Sequence, residues 1–271
     1  MNIKLFRNLL LLFFFLNGSI FVDQCFAWRI VSADRIVSGS SVLTYGPGGI
    51  WCGFNAGADS TLRVYNPENG ELNLEFRQPE ERCYGLAGID NNVWFLGHQE
   101  MILLEARGDI IRELDNPYES MRGLSASEDG LWTIVREDGV HHLVLFETGG
   151  DELHRFETTV QNPGDLSWDG ELLWITDYVD GFIHVFNPEN EREVDILPTP
   201  VAGPNGIAHN NGMLSLVDEG HNRDHDLLYL IDLEGEESPR ILPISRYLDV
   251  GVIVIGNRIT VSFAIFNIGQ V

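Results

Sequence analysis

A unit of roughly 40 residues recurs along most of the chain, and this recurrence restricts the possible folds more than any other feature. Each unit opens with an apolar segment, a turn rich in Gly, Asn or Asp, and a second apolar segment. The units begin near residues 41, 85, 123, 165, 206 and 251. One position of the second segment is occupied in turn by Trp51, Trp94, Trp132, Trp174, Leu214 and Ile259. A repeat of this length indicates a supersecondary unit that buries its surface against its neighbours.

Two further segments rich in β-branched and aromatic residues follow in the units, so each unit is predicted to hold four strands. The turns between the third and fourth segments carry Pro, Asn and Gly, and "NPEN" occurs there twice, at 66 and at 187. Four antiparallel strands per repeat are typical of propeller blades. We therefore predict an all-β, six-bladed β-propeller of four-stranded antiparallel blades over residues 28–271, with the tryptophans filling the spaces between blades.

The last unit ends soon after its second strand, which raises the question of how the ring closes. The segment "WRIVSAD", which begins at Trp28, precedes the first unit by the spacing that fourth strands show elsewhere. We expect this N-terminal strand to complete the sixth blade. Closure of this kind removes the exposed sheet edges that promote aggregation.

The first 27 residues have the layout of a secretory signal peptide. Lys4 and Arg7 precede an apolar run over residues 9–16, and cleavage is expected after Ala27. An uncleaved membrane anchor is the alternative, although the run is short for a span of about 20 residues. The prediction is a secreted or periplasmic protein with no other membrane-spanning segment.

Charge and cysteine content limit the possible partners and chemistry. The chain carries 17 basic and 41 acidic residues, a net charge of −24, and Lys4 is its only lysine. Nucleic acids and anionic membranes attract cationic surfaces, so neither is expected as a partner. A mature chain without lysine also excludes Schiff-base chemistry. Cys52 and Cys83 remain after cleavage, and they are either a single disulfide, as is usual in an oxidising compartment, or buried free thiols.

In a propeller, the loops from second to third strands share one face with the linkers between blades. We predict that the ligand binds on that face, at residues drawn from several blades: Tyr84, His98, Arg122, Arg136, Asp165, Tyr178, Asp180 and His225. The loop "DEGHNRDHD" at 218–226 supplies Asp218 and His221 as candidates for proton transfer. The sequence contains no nucleophile elbow and no Cys-x-x-Cys pair, so covalent catalysis has no support from motifs.

The stretch "GPNGIAHNNG" at 203–212 resembles the six-bladed propellers of the gluconolactonase and senescence-marker-protein family and their strictosidine-synthase-like relatives. "WDGELLWITDY" at 168–178 is similar to blades of NHL-repeat and plant-type glutamine-cyclotransferase proteins. The first resemblance implies that Asn205 binds a central divalent cation, usually calcium, for which Asp177 is a second candidate ligand. The family's two acidic ligands correspond here to Ser40-Ser41 and Val250-Gly251.

Two functions follow from these features. The first is a secreted, monomeric binding propeller that recognises a small molecule or a partner protein on its loop face. The alternative is a calcium-dependent hydrolase of lactones or esters, in which the metal polarises a carbonyl group and Asp218 or His221 moves the proton.

Overall fold

All the regular secondary structure of the described residues is β-strand; these residues are 29–54, 60–199, 201, 203–218, 225–233 and 267–268 of a computed structural model. In chain order the strands are β1 (Arg29–Val37), β2 (Ser40–Gly46), β3 (Gly49–Phe54), β4 (Thr61–Tyr65), β5 (Leu72–Arg77), β6 (Gly85–Ile89), β7 (Asn92–Leu96), β8 (Glu100–Glu105), β9 (Ile110–Asp115), β10 (Met121–Ala126), β11 (Leu131–Glu137), β12 (Val140–Phe146), β13 (Glu152–Glu157), β14 (Pro163–Trp168), β15 (Leu173–Asp177), β16 (Phe182–Asn187), β17 (Arg192–Pro198), β18 (Pro204–Asn210), β19 (Met213–Asp218), β20 (His225–Asp232) and β21 (Asn267–Ile268).

The strands form five antiparallel blades, each of which begins with an inner strand next to the axis. Blades 1 to 4 are β2–β5, β6–β9, β10–β13 and β14–β17, each in sequence order. Blade 5 consists of β18, β19, β20 and then β1, with β21 added in parallel beside β1. The prediction of an all-β propeller with four-stranded antiparallel blades is confirmed.

The prediction of six blades was wrong, because the ring closes after the fifth. β1 pairs antiparallel with β20, so the N-terminal strand completes the blade that begins at 204 and not a sixth one. The inner strands pack in the order β2, β6, β10, β14 and β18, and β18 packs directly on β2. The repeat near 251, whose two apolar segments and turn predict a sixth blade, lies outside the described residues. The repeat pattern in the sequence did not show that β1 pairs with the outer edge of β20.

Five apolar clusters fill the five spaces between neighbouring blades. Trp51, Trp94 and Trp132 are each at most 3% exposed, and each packs on the blade that follows its own. Trp174 is partly buried against blade 5. The tryptophans therefore fill the spaces between blades, as predicted.

The fifth residue of the tryptophan series is Ser215, not Leu214, because Ala208 pairs with Ser215 as Ser167 pairs with Trp174. The Ser215 hydroxyl makes a hydrogen bond of 2.8 Å with the Tyr45 hydroxyl. This bond joins blade 5 to blade 1. At the other four interfaces, a tryptophan ring occupies the equivalent position. Ile259, the predicted sixth member, lies outside the described residues.

The two "NPEN" segments are turns of the same kind, as predicted. The Asn66 side chain accepts the N–H of Glu68, and the Asn187 side chain accepts the N–H of Glu189, each at 2.8 Å. Asn side chains stabilise such turns by replacing a backbone acceptor.

Cys52 and Cys83 are free thiols in the structure, in place of the disulfide that was one of the two expectations. The two side chains lie on opposite faces of the blade 1 sheet, which explains why they do not meet. Cys52 packs in the space between blades 5 and 1, and Cys83 packs in the space between blades 1 and 2 beside Gly53. Burial raises the pKa of the Cys52 thiol to about 12 and also raises the pKa of Cys83.

The predicted signal peptide and Trp28 lie outside the described residues. Within the part of the chain that is described, no helix has the length and apolarity needed to span a membrane.

Candidate ligand-binding site

A cavity of about 640 Å³ lies on the loop face between blades 2, 3 and 4. Its walls come from the β11–β12 and β15–β16 loops and from the linkers that precede β6, β10 and β14. The lining residues are Tyr84, Ser120, Met121, Arg122, Ile134, Arg136, Gly139, Val140, His141, Thr158, Val160, Gln161, Asn162, Pro163 and Tyr178. Four of the predicted ligand-face residues, Tyr84, Arg122, Arg136 and Tyr178, are therefore brought together at one cavity. Whether they bind a ligand stays a prediction.

The Arg122 side chain is held in place by two partners of blade 4. Its Nε–H donates to the carbonyl of Gly164 at 2.8 Å, and its guanidinium lies 5.1 Å from the centre of the Tyr178 ring. A cation over an aromatic face is attracted by the ring electrons. Arg122 is thus oriented before any ligand arrives, whereas Arg136, on the other wall, has an exposed side chain.

His141 is a third group of the cavity wall that carries charge when protonated. A carbonyl oxygen only accepts hydrogen bonds, so the contact of 3.2 Å between Nδ1 and the Val160 carbonyl places a proton on Nδ1. Burial lowers the pKa of His141 from its usual value, and the charges of Arg136 and Arg122 lower it further. A negative group in the cavity would offset that repulsion between positive charges.

None of the described residues that line the cavity is Asp or Glu. The whole chain has 41 acidic and 17 basic residues, so a wall with two arginines, a histidine and no carboxylate departs from the composition of the protein. Neutral polar groups of Ser120, Thr158, Gln161 and Asn162 complete the polar lining.

Asp165 was predicted on the ligand face, but it lies on the axis and is fully buried. Its carboxyl oxygens accept the N–H groups of Leu43 at 2.9 Å, Leu166 at 2.9 Å and Ile207 at 3.3 Å. These amides belong to blades 1, 4 and 5. Burial raises the pKa of Asp165 to about 8, even though these three donors lower it. Asp165 therefore connects blades instead of facing the cavity.

Asp177 ends β15 and lies in a second group of charged side chains. Its carboxylate accepts the N–H groups of Asn162, Val179 and Asp180 at 2.9, 3.0 and 3.2 Å, which fixes its orientation. Candidate ligand atoms of Asp177, Asp180 and His184 lie within 4.8 Å of one another.

Asn205 lies near the axis, where its carbonyl accepts the Thr176 hydroxyl at 2.7 Å, and a Cβ atom added at Gly164 would lie 3.2 Å from its side-chain oxygen. A calcium ion needs several oxygen ligands. Asp165, the acid on the axis, is fully buried with its carboxyl group against the amides of three blades, so it does not supply oxygen ligands to an ion at Asn205. The fit of calcium at Asn205 is therefore poor, and the binding of this ion stays a prediction.

The remaining predicted residues that the structure describes lie on blades 2 and 5. His98 lies beside Tyr84, with 6.1 Å between ring centres, and its backbone N–H donates to the Glu80 carboxylate. Asp218 is buried at the end of β19, and His225 begins β20 opposite Val37. His221 lies outside the described residues. His98 thus lies on a different blade from Asp218 and His225, which end β19 and begin β20 of blade 5.

The sequence did not point to His141 as a cavity residue or to Asp226 as a contact of ring closure. Asp226 is buried, and its carboxylate accepts the N–H groups of Gly39 and Ser40 at 2.8 and 2.9 Å. It thereby fastens the chain between β1 and β2 to blade 5. A signal for His141 was present, since Asp138-Gly139 marks a tight hairpin whose next residues begin a strand at the loop face.

No protein-family model matches this chain, and no curated protein matches it. Solved structures do match. Glutaminyl cyclase of Myxococcus xanthus has a TM-score of 0.60 at 14% identity, over 77% of this chain and 98% of that one. A structure of a nidogen–laminin complex has a TM-score of 0.51 at 14% identity, over 73% of this chain and 77% of that one.

Similarity at these identities establishes the fold alone, which is a β-propeller. The superfamily suggested by residues 203–212 is not confirmed, and the ring of five blades disagrees with its six-bladed architecture.

Proposed function

We propose that this protein is a binding propeller whose cavity between blades 2, 3 and 4 takes a small anionic ligand. The observation that carries the proposal is the wall itself, in which Arg122, Arg136 and His141 occur without any carboxylate among the described lining residues. An acidic protein repels anions over most of its surface, so a locally basic cavity favours anions at that one place.

The size of the cavity favours a small molecule over a protein. Its volume of about 640 Å³ lies within the range of roughly 300–1,000 Å³ that small-molecule pockets occupy. Ile134 and Val160 are buried and supply apolar wall, while Tyr84 and Tyr178 supply aromatic rings. A ligand with a flat or apolar body and a negatively charged group matches this lining.

The arginines favour a carboxylate or phosphate group. A guanidinium presents a planar fork of N–H donors that pairs with two oxygens at once. Arg122 uses Nε for Gly164, so its terminal nitrogens are the ones that would meet the ligand. Because Tyr178 and Gly164 already orient this side chain, little conformational entropy would be lost when a ligand binds.

The test measures binding of named probes to the full chain. Benzoate, citrate and inorganic phosphate are the anionic probes, and benzamide is the uncharged counterpart of benzoate. At least one anion is expected to raise the melting temperature and to bind in calorimetry, whereas benzamide does not. Arg122→Gln or Arg136→Gln should weaken this binding by about tenfold to a hundredfold, the value of a charge-assisted hydrogen bond.

Arg112→Gln is the matched control, because it removes the same charge from an exposed position on β9, away from the cavity. This variant should bind the anion as the unmodified chain does. The proposal is contradicted if none of the anions binds, or if Arg112→Gln weakens binding as much as Arg122→Gln.

A further inference from the structure

A compact group of metal-binding side chains lies on the β15–β16 hairpin of blade 4. Asp177 is the last residue of β15, Asp180 lies in the turn, and His184 is the third residue of β16. The candidate ligand atoms of these three residues lie within 4.8 Å of one another. Tyr178, between the two aspartates, lines the cavity described above.

His184 is held by a carboxylate on the side away from this group. Its Nδ1 lies 2.5 Å from Oε1 of Glu193, and a carboxylate oxygen accepts, so Nδ1 carries the proton. The other oxygen of Glu193 accepts the Thr159 hydroxyl at 3.3 Å. A histidine whose second nitrogen donates to a carboxylate is the usual arrangement behind a metal ligand, because it fixes the tautomer and the ring orientation.

The Nε2 atom of His184 is buried and has no hydrogen-bond partner among the described residues. The residue is 8% exposed, so little water reaches the ring. With the proton on Nδ1, Nε2 presents a lone pair, and Oδ2 of Asp180 is 3.5 Å away. A lone pair that faces a carboxylate oxygen is repelled unless a proton or a metal cation lies between them.

The distance between Nε2 of His184 and Oδ2 of Asp180 indicates whether a metal ion or a proton fits between them. A charge-assisted N–H···O bond measures about 2.7–2.9 Å, well below the observed 3.5 Å. Two ligand atoms on a tetrahedral zinc ion, each about 2.0–2.1 Å from it, lie roughly 3.4 Å apart. The separation of Nε2 and Oδ2 therefore fits two ligands of one metal better than it fits a direct hydrogen bond.

We propose that Asp177, Asp180 and His184 bind one divalent transition-metal ion such as Zn²⁺. An imidazole with two carboxylates suits this class of ion, whereas an all-oxygen set would suit calcium or magnesium. Asp177 and His184 are buried and oriented in advance, while the Asp180 side chain is 44% exposed and gives the ion a route of entry. Three protein ligands leave a coordination position for water or a further ligand. This proposal does not depend on anion binding in the cavity.

The test uses the full chain without a histidine tag, after treatment with a chelator. Zn²⁺ titrated by calorimetry should bind at one ion per chain, and Co²⁺ should give the visible absorption of a site with mixed nitrogen and oxygen ligands. Asp180→Asn alters an exposed side chain and should weaken Zn²⁺ binding at least tenfold. His184→Gln should abolish binding at this site.

Glu193→Gln keeps all three ligands and changes only the group behind His184. It should weaken Zn²⁺ binding by about tenfold to a hundredfold, the usual effect of such partners. His154→Gln is the matched control, because His154 also neighbours a carboxylate, Glu191 at 3.7 Å, on the adjacent blade. It should bind Zn²⁺ normally.

Two results would overturn the proposal. One is the absence of Zn²⁺ and Co²⁺ binding at one ion per chain, which would leave His184 and Asp180 as an ion pair. The other is Zn²⁺ binding that Asp180→Asn and His184→Gln leave unchanged, which would place the metal elsewhere.

Discussion

Asp165 shows how one side chain departs from the repeat around it. The pairing of the inner strands aligns Asp165 with Gly85, Gly123 and Gly206 in three other blades. A Cβ atom at Gly85 would lie 2.7 Å from the backbone of Gly123, so the inner strands approach too closely for most side chains. The carboxyl group of Asp165 instead binds amides of three blades.

The pKa of Asp165 predicts how stability depends on pH. Burial raises this pKa from 3.8 to about 8, so the folded chain holds the proton more tightly than the unfolded chain does. The stability that protonated Asp165 contributes is fully present below the pKa of the unfolded chain, 3.8, and is lost as pH rises through the folded pKa of about 8. Relative to Asp165→Asn, the unfolding free energy should fall by about 1.4 kcal/mol per pH unit between pH 5 and 7. Urea unfolding of both proteins across this range measures the difference.

The comparison with Asp165→Asn isolates this one group, since all the other titrating residues are common to both proteins. Parallel pH profiles for the two proteins would contradict the raised pKa.

The position of Asp165 was the least predictable feature of the site at the residue scale. Its sequence neighbours identify the start of a blade, and that much was predicted. The register of the inner strand shifts just before this point in blade 4, as it also does in blades 1, 3 and 5, so the shift does not single out Asp165. What sets Asp165 apart is its hydrogen bonds to Leu43 of blade 1 and Ile207 of blade 5, which are distant in sequence.

At the scale of the strands, neighbouring blades are joined by a repeated hydrogen bond in which a backbone N–H donates to a side-chain hydroxyl. Thr44 accepts the N–H of Gly88, Ser125 accepts that of Trp168, and Ser167 accepts that of His209, each at 2.9 Å. The three hydroxyls occupy one position of the repeat, and the three amides occupy the next. The amides at this position therefore keep a partner even though they face another blade.

Gly88 is required where β6 approaches β2. A Cβ atom there would lie 1.9 Å from the carbonyl oxygen of Tyr45, so Gly88→Ala forces the two strands apart. We expect the substitution to lower the unfolding free energy by about 2–4 kcal/mol, as strain combined with a lost hydrogen bond. Chemical denaturation measures this directly.

Gly149→Ala is the control for this experiment, because a Cβ atom at Gly149 meets nothing within 4 Å. It should change stability by less than about 0.5 kcal/mol. Equal effects of the two substitutions would argue against the close approach of β2 and β6.

The strands and turns were largely predictable from sequence, because their signals are local. Apolar segments on either side of turns rich in Gly, Asn or Asp located the inner strands, and the "NPEN" turns behave as their composition indicates. The tryptophan series held for four blades and failed at the fifth, where Ser215 and Tyr45 form a polar pair. Nothing local distinguishes Ser215 from Leu214 as the residue that faces the next blade.

At the scale of the whole molecule, the number of blades depends on which strand the N-terminal segment joins. The sequence correctly indicated that β1 would close the ring as a fourth strand. Spacing to the first blade is the same whether β1 completes a fifth or a sixth blade, so the sequence could not decide between them. The decision comes from long-range contacts, namely the pairing of β1 with β20 and the packing of β18 on β2.

The cavity also depends on the closed ring, since its walls come from three blades whose relative positions the ring fixes. The sequence identified Tyr84, Arg122, Arg136 and Tyr178 as residues of one face. It could not show that acidic residues would be missing from the described wall, because that depends on which side chains each loop turns inward.

A disulfide cross-link between β1 and β20 tests the five-bladed ring most directly. Arg35 pairs with Leu227, and neither side chain is fully buried, so Arg35→Cys combined with Leu227→Cys places two thiols opposite each other. Paired residues on adjacent strands meet the distance that a disulfide requires. Ala33→Cys with Leu227→Cys is the control, since that pair is two residues out of register and roughly 7–8 Å apart.

Under mild oxidation, the five-bladed ring predicts an intramolecular bond between positions 35 and 227, found by peptide mapping, together with a higher melting temperature. The control pair should remain reduced. A failure of the 35–227 pair to form, or its formation no faster than the control, would contradict closure of the ring at the fifth blade.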